Sequence, residues 1–260
     1  ITLAGGGYVP VDKPNDTIQG KEFVANGVKY LSVPASDAGT NAKGLFDSAE
    51  ATGAHKKGFE VSTIGRSWVT ENIYLPLIKK RPDKYKNPEK SAKYFGGLLG
   101  VKGKESHWSS WFMRNCYINH WHSKKSDKWD QVPLGLHSGN IYDYTADQGY
   151  EARKKVEADP DKYVGKIVFI TFQVNEAPLF PGDSIFNVRQ GPNNYGTFQA
   201  HWKARQAPSH MKVIGPSGNL VYGGNESQKV GRETIKLDAN GVLIQKKKRF
   251  CAIYKRVKVV

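Results

Sequence analysis

The chain has 260 residues, 38% hydrophobic and 12% aromatic, ample material for a packed core, so wholesale disorder is excluded. Lys and Arg number 39 against 24 Asp and Glu, a formal net charge of +15 that favours an anionic partner: nucleic acid, a membrane surface or the bacterial envelope. No apolar run approaches the roughly 18–20 residues of a membrane-spanning helix, and the 2 cysteines form neither a disulfide framework nor a CxxC zinc pair.

The chain opens on Ile1 without a basic-then-apolar leader, and a processed or trimmed form is expected. Residues 1–60 hold nine of the 27 glycines, with Pro10, Pro14 and Pro34, and no helical period. Within them, Glu22-Phe23-Val24 and Val28-Lys29-Tyr30-Leu31 flank Ala25-Asn26-Gly27, the pattern of a hairpin with a tight primed turn. An irregular, partly β N-terminal arm is expected over 1–60, wrapping the main domain or contacting a partner, with the main domain over 61–260.

Helical patterning starts near Ser62, with Ile64, Trp68 and Val69 on one face and Pro76 expected to end or kink the helix. The lysine-rich stretch with Pro82 and Pro88 reads as an exposed loop. Over Trp108–Asn119, Trp108, Trp111, Phe112, Cys116 and Ile118 form a buried helical stripe. His120–Asp130 reads as loop and Tyr150–Ala158 as a short helix before Asp159-Pro160. Strands follow at Ile167–Val174, Ser184–Val188, His210–Ile214, Asn219–Tyr222, Glu233–Leu237, Val242–Gln245 and Phe250–Val257, with Gly, Pro and Asn-Gly turns between them. Helices followed by a run of antiparallel-looking strands predict an α+β fold.

The basic residues fall in blocks. Residues 79–104 carry nine Lys and Arg against Asp83 and Glu89, and Lys246, Lys247, Lys248, Arg249, Lys255, Arg256 and Lys258 crowd the C-terminus. Solvated faces and lysine-guarded strand edges account for them better than nucleic-acid binding does. No basic helix, zinc finger or RNP-type aromatic motif accompanies the blocks.

Common catalytic motifs are absent: Gly5-Gly6-Gly7 follows no strand and lacks a P-loop lysine, and no HExxH, GxSxG or EF-hand loop occurs. His120-Trp121-His122, with His107 and His137, offers imidazoles to a metal. Without an acidic or Cys ligand at a convincing spacing, a polar loop is the preferred reading, and neither metal nor cofactor is expected. A stronger constellation is spread along the chain. Ser109 lies at an expected helix start in Trp108-Ser109-Ser110-Trp111-Phe112, where the helix dipole and free N–H groups favour a nucleophile and an oxyanion. Pro181-Gly182-Asp183 enters a strand, Ser209-His210 opens another, and Gly223-Gly224-Asn225 ends the next. A His on a facing strand can act as base, and an Asn, Asp or Glu on the adjacent strand can fix its tautomer.

In the order W-S-x-x-F, P-G-D, S-H, G-G-N with a basic closing strand, residues 61–258 resemble the papain-like CHAP and NlpC-type cell-wall hydrolases. The nearest resemblance is to a bacterial and phage branch carrying a W-S-A-A-F motif. The resemblance implies a papain-like α+β fold, helices packed on an antiparallel β-barrel-like sheet. It implies Ser109 at the position of the nucleophilic Cys, His210 as base, Asn225 as the orienting residue and Asp183 as structural. The implied activity is hydrolysis of a peptide or amide bond of peptidoglycan. The implied setting is the cell envelope, the extracellular space or a virion, with the wall, another anionic surface or neighbouring virion subunits as partners.

Serine is the departure from that pattern. A thiolate forms readily beside a His, whereas a serine hydroxyl must lose its proton to a well-placed base during attack. The match therefore supports the fold better than catalysis, and the second reading is a catalytically silent structural or binding module such as a virion protein. Cys116, two turns beyond Ser109, and Cys251 are expected in the core. His210 reads equally as a hydrogen-bonded strand residue, and Asn225 as the occupant of a left-handed turn. Trp121, Trp129, Tyr142 and Tyr144 are candidates to stack on a sugar or peptide, while Trp108 and Trp111 are expected to pack.

Overall fold

The computed structural model describes residues 20–101, 108–122, 129–133, 144–188, 191–203, 209–245 and 249–260. Strands β1 (Glu22–Ala25) and β2 (Val28–Ser32) form the expected hairpin. Its turn holds Asn26 at φ 46° and Gly27 at φ 77°, the left-handed pair that matches strand twist in a primed turn.

The rest of the stretch up to residue 60 departs from the expected irregular arm. Helix α1 (Ser36–Ala51) buries Ala38, Ala42, Leu45, Phe46 and Ala49, and β2 pairs with the final strand, β12 (Ala252–Val259). From residue 20 onward this stretch is built into the sheet and core; residues 1–19 lie outside the described residues.

Helix α2 (Thr63–Val69) is capped by Ser62, whose Oγ accepts from the Gly65 N–H at 3.0 Å, satisfying one orphan donor of the first turn. Trp68 and Val69 are buried, but Ile64 faces solvent. Pro76 does not stop the chain's helical course. A π-helical turn, Thr70–Tyr74, runs without a break into α3 (Leu75–Lys79), so Pro76 lies inside a continuous helical run; its missing N–H frees a carbonyl one turn back, where the Asn115 side-chain amide donates to the Asn72 and Ile73 carbonyls at 2.8 and 3.2 Å. The expected lysine-rich loop contains α4 (Pro88–Gly97), capped by the Asn87 side chain accepting from the Lys90 N–H at 2.9 Å.

Helix α5 (Ser109–Cys116) carries the predicted buried stripe and is buried on every side. After it come a short parallel pair, β3 (Trp121–His122) with β4 (Val132–Pro133), and α6 (Tyr144–Ala158), which begins before the predicted Tyr150. Then follow β5 (Ile167–Gln173), β6 (Ser184–Val188), an unpredicted α7 (Tyr195–Lys203), β7 (Ser209–Ile214) and β8 (Leu220–Gly223). The predicted Glu233–Leu237 strand is divided between β9 (Gly231–Thr234) and β10 (Lys236–Leu237), and β10 pairs with β11 (Leu243–Ile244).

The main sheet has 8 strands in the order β1-β2-β12-β6-β7-β8-β9, with β5 on the free side of β12; all its pairings are antiparallel. Mixed helix and antiparallel sheet were expected; barrel-like closure was not met, because the sheet ends at β1 and β9. Successive side chains point to opposite faces of a strand. One face carries Phe169, Phe186, Met211, Val213, Tyr222 and Tyr254 into a core shared with α1 and α5. The other carries Phe172, Ile185, Ile214, Val221, Ile253 and Val257 into a second core. Among the described residues no helix is long and apolar enough to cross a membrane.

Candidate functional site

Helix α5 is anchored by the residue just before it. Trp108 is fully buried, edge-on to Phe59 (ring centroids 6.4 Å apart, 86° between planes), and its indole N–H donates to the buried Glu60 carboxylate. The turn after β8 docks against this indole. A Cβ at Gly224 would lie 2.6 Å from both the Phe112 Cβ and the Trp108 ring, so the approach requires glycine. Beyond it Asn225, Ser227 and Gln228 all take left-handed backbone conformations, at φ 59°, 54° and 62°, each strained for a residue with a side chain. Backbone bonds hold the strain: Gly58 N–H to Ser227 O and Glu60 N–H to Gln228 O, both 3.3 Å, and Glu226 N–H to Lys229 O at 2.9 Å. Gly224→Ala should therefore lower the unfolding midpoint more than Gly97→Ala, whose Cβ would meet nothing within 4 Å; equal midpoints would remove the docking account.

Ser109 opens α5 with only 4% of its surface exposed, and the neighbouring Ser110 Oγ is buried without a hydrogen-bond partner among the described residues. His210 lies near the start of β7, two residues before Lys212 and on the same face. Its Nε2 is 3.4 Å from Glu226 Oε1, and the Lys212 ammonium lies 2.6 Å from that oxygen and 3.2 Å from Glu233. Arg249 pairs with Glu233 in turn. The other imidazole nitrogen, Nδ1, is buried without a hydrogen-bond partner among the described residues. Burial pushes the Glu226 carboxyl up, but hydrogen bonding and charge from His210 and Lys212 outweigh it and hold the group below the usual range.

The expected Ser109–His210–Asn225 set is not brought together. Met211 and Val213 point into the core that α5 occupies, so the intervening His210 and Lys212 project from the opposite face. No hydrogen bond joins Ser109 to His210 among the described residues, and the side chain that reaches His210 is Glu226, not Asn225. Asn225 occupies the left-handed turn position instead. Nothing in a motif marks Glu226, Lys212 and Glu233. Alternation through Met211-Lys212-Val213 was the available signal, since two apolar residues flanking a lysine fix which way His210 faces.

Pro181-Gly182-Asp183 is structural. Gly182 sits at φ 88°, and a Cβ there would be 1.9 Å from the Ala35 carbonyl oxygen. Asp183 accepts from the Phe180 N–H at 2.9 Å and pairs at 3.1 Å with Lys255, both side chains being buried. Burial drives the Asp183 carboxyl up, against the Lys255 charge, to about 6, and drives the Lys255 ammonium down. Cys116 and Cys251 are core thiols: burial raises the first well above its ordinary value and the second to about 12, the reverse of what activates a nucleophile.

His120 is tied to Asp37, Nε2 to Oδ1 at 2.7 Å. Burial pushes the Asp37 carboxyl up, and the bond and charge of His120 with a bond from Asn119 bring it below its ordinary value. Among the described residues no three His, Cys, Asp or Glu side chains are grouped to hold a metal; His107 and His137 lie outside the described residues. Trp121 and Trp129 are half-buried under the Lys80 and Lys155 ammoniums, 5.4 and 5.2 Å from the ring centroids. Tyr142 lies outside the described residues, and Tyr144 opens α6. No protein-family model, curated protein or solved structure matches the chain.

Proposed function

We propose that the chain is a catalytically silent module of the papain-like CHAP/NlpC kind, which serves as a structural or binding element on an anionic surface, the bacterial wall or neighbouring subunits of a virion. The observation that carries this reading is that His210 projects from the sheet face opposite the one on which Met211 and Val213 pack with α5. A serine hydroxyl attacks only when a base takes its proton at hydrogen-bond distance, and here the imidazole is engaged with Glu226 on the other face. The glycine, proline and aspartate motifs act as packing devices, consistent with a fold kept without its chemistry. The net charge of +15 supplies long-range attraction to a polyanion.

The test combines release and sedimentation. Purified protein is incubated with bacterial sacculi of several wall types. The expected result is co-sedimentation that weakens as salt is raised, with no soluble peptide or sugar fragment from wild type. Fragments released by wild type and abolished in Ser109→Ala would overturn the silent reading in favour of hydrolysis.

A further inference from the structure

Single apolar side chains are exposed on any protein surface, but three of them meet where α2 begins. Val61, Ile64 and Val101 keep 44, 64 and 40% of their surface exposed. Val61 ends the 3-10 turn Phe59–Val61, and Ile64 lies in the first turn of α2. A Cβ on Gly100 would be 2.4 Å from Val61 Cγ1, which sets Gly100 and Val101 against the same turn. Ile64 is also the residue that the helical period assigns to the core and that the fold turns to solvent. Packing behind the turn holds it rigid. Phe59 is buried edge-on to Trp68 and Trp108, with ring centroids 6.1 and 6.4 Å away. The Ser62 hydroxyl donates to the Phe59 carbonyl at 2.6 Å while it caps α2. The aliphatic side chains are thus pointed outward by a preorganised backbone, and little ordering remains to be done on docking.

Charge around this tip is sorted by sign. From residue 51 to residue 70 the only carboxylate is Glu60, and it is buried against the Trp108 indole N–H. The turn strapped to this stretch, by Gly58 N–H to Ser227 O and Glu60 N–H to Gln228 O, carries Glu226, which turns inward to Lys212 at 2.6 Å. The cations of the same two segments stay outside: Lys56 and Lys57 are exposed, Lys229 is half-buried, and none of the three makes an ion pair among the described residues. Glu50 and Glu71 flank the stretch, and Glu71 accepts from the Ser67 hydroxyl at 2.8 Å. Cations alone would suit any polyanion, and an apolar tip alone would suit a patch on another protein. Aliphatic side chains beside unpaired ammoniums suit a partner that is anionic at its surface and apolar just beneath, which is the construction of an anionic bilayer.

We propose that the start of α2 is a membrane-docking tip: Val61, Ile64 and Val101 enter the interface of an anionic bilayer while Lys56, Lys57 and Lys229 hold its headgroup phosphates. The attachment is peripheral, with the tip entering one leaflet only. It goes beyond the wall or virion role proposed above and does not rest on it.

The experiment uses the full chain and two kinds of vesicle, phosphatidylcholine alone and phosphatidylcholine with about one-third phosphatidylglycerol, with binding read by flotation. Wild type should bind the anionic vesicles at least about tenfold more tightly than the neutral ones. The pair Val61→Ser, Ile64→Ser removes the aliphatic tip, and the set Lys56→Gln, Lys57→Gln, Lys229→Gln removes the cations. Each should lose about tenfold or more with an unchanged unfolding midpoint. Ile64→Trp puts a larger interfacial side chain at the same exposed position and should tighten binding about threefold or more. Wild-type affinity in the serine pair, which means adsorption by net charge alone, overturns the tip. So does wild-type affinity in the lysine set, no gain from Ile64→Trp, or wild type that ignores both vesicles. Sacculi carry no lipid, so their sedimentation tests the proposed function separately: wild type that sediments with sacculi but ignores the vesicles loses only the docking tip.

Discussion

Replacing Lys255 by methionine is expected to cost about 3–5 kcal/mol of stability near neutral pH, the range for breaking a buried ion pair by removing one partner. Its ammonium is sealed from solvent, 3.1 Å from Asp183 and 3.1 Å from the Ser32 hydroxyl, with the Phe23 and Phe180 rings 5.9 and 5.2 Å away. Without it the Asp183 carboxylate is stranded among apolar groups, at the turn it holds through the Phe180 N–H. The sign of the pH dependence follows from the carboxyl. In the wild type its folded value, about 6, already exceeds the ordinary 3.8, so folding takes up a proton between those values and this group adds stability as pH falls through 6. Loss of Lys255 moves the folded value higher still, so the variant's deficit should shrink from pH 8 to pH 5. Urea unfolding at the two pH values measures it. The double change Lys255→Met, Asp183→Asn should recover most of the loss, since two neutral groups replace the stranded charge. A deficit below about 1 kcal/mol at pH 8 would show that the pair is not the strut described.

Trp108→Ala is the second large effect, about 3–5 kcal/mol for an aromatic core truncation. The indole packs between Phe59 and the Gly224 backbone and donates to the Glu60 carboxylate. Truncation opens a cavity and removes a donor from a buried acceptor. It also withdraws the surface on which the strained turn from Asn225 to Gln228 rests. Trp108→Phe keeps the ring and loses the N–H, and should cost about 1–3 kcal/mol. The two variants together divide packing from hydrogen bonding. Hydrogen exchange supplies the local readout: in Trp108→Ala the Glu60 and Glu226 amides, which bond to Gln228 and Lys229 across this turn, should exchange at an opening energy below that of the global core. If Trp108→Ala unfolds as wild type does, the indole does not organise the site.

Acid should act on two other carboxyls in the opposite direction to Asp183. Asp37 and Glu226 are held below their ordinary values by His120 and by His210 with Lys212. Their contribution is complete above the unfolded carboxylate value and is lost as pH falls through the folded one. The balance with Asp183 places the acid weakness of the fold below about pH 4.

The sequence by itself determined the α+β class, the Asn26-Gly27 hairpin, the buried stripe of α5, the core character of Cys116 and Cys251, and most of the strands. Each is a local signal: a turn dipeptide, a helical period, a β-branched run. Helix α1 was hidden because much of its buried face is small, with Ala38, Gly39, Ala42 and Ala49, which leaves little hydrophobic period to detect. Helix α4 was masked by its lysines, although Asn87-Pro88 is a sound start signal. Tertiary structure alone decided that the sheet stays open and that Ser109 and His210 part company. A strand's face is set by which of its alternate residues the neighbouring layer buries. Met211 and Val213 went to the helices, so His210 and Lys212 turned the other way, to Glu226 and Glu233. A motif records which residue types occur in which order, whereas pleat parity, settled by packing across the sheet, decides whether they can meet.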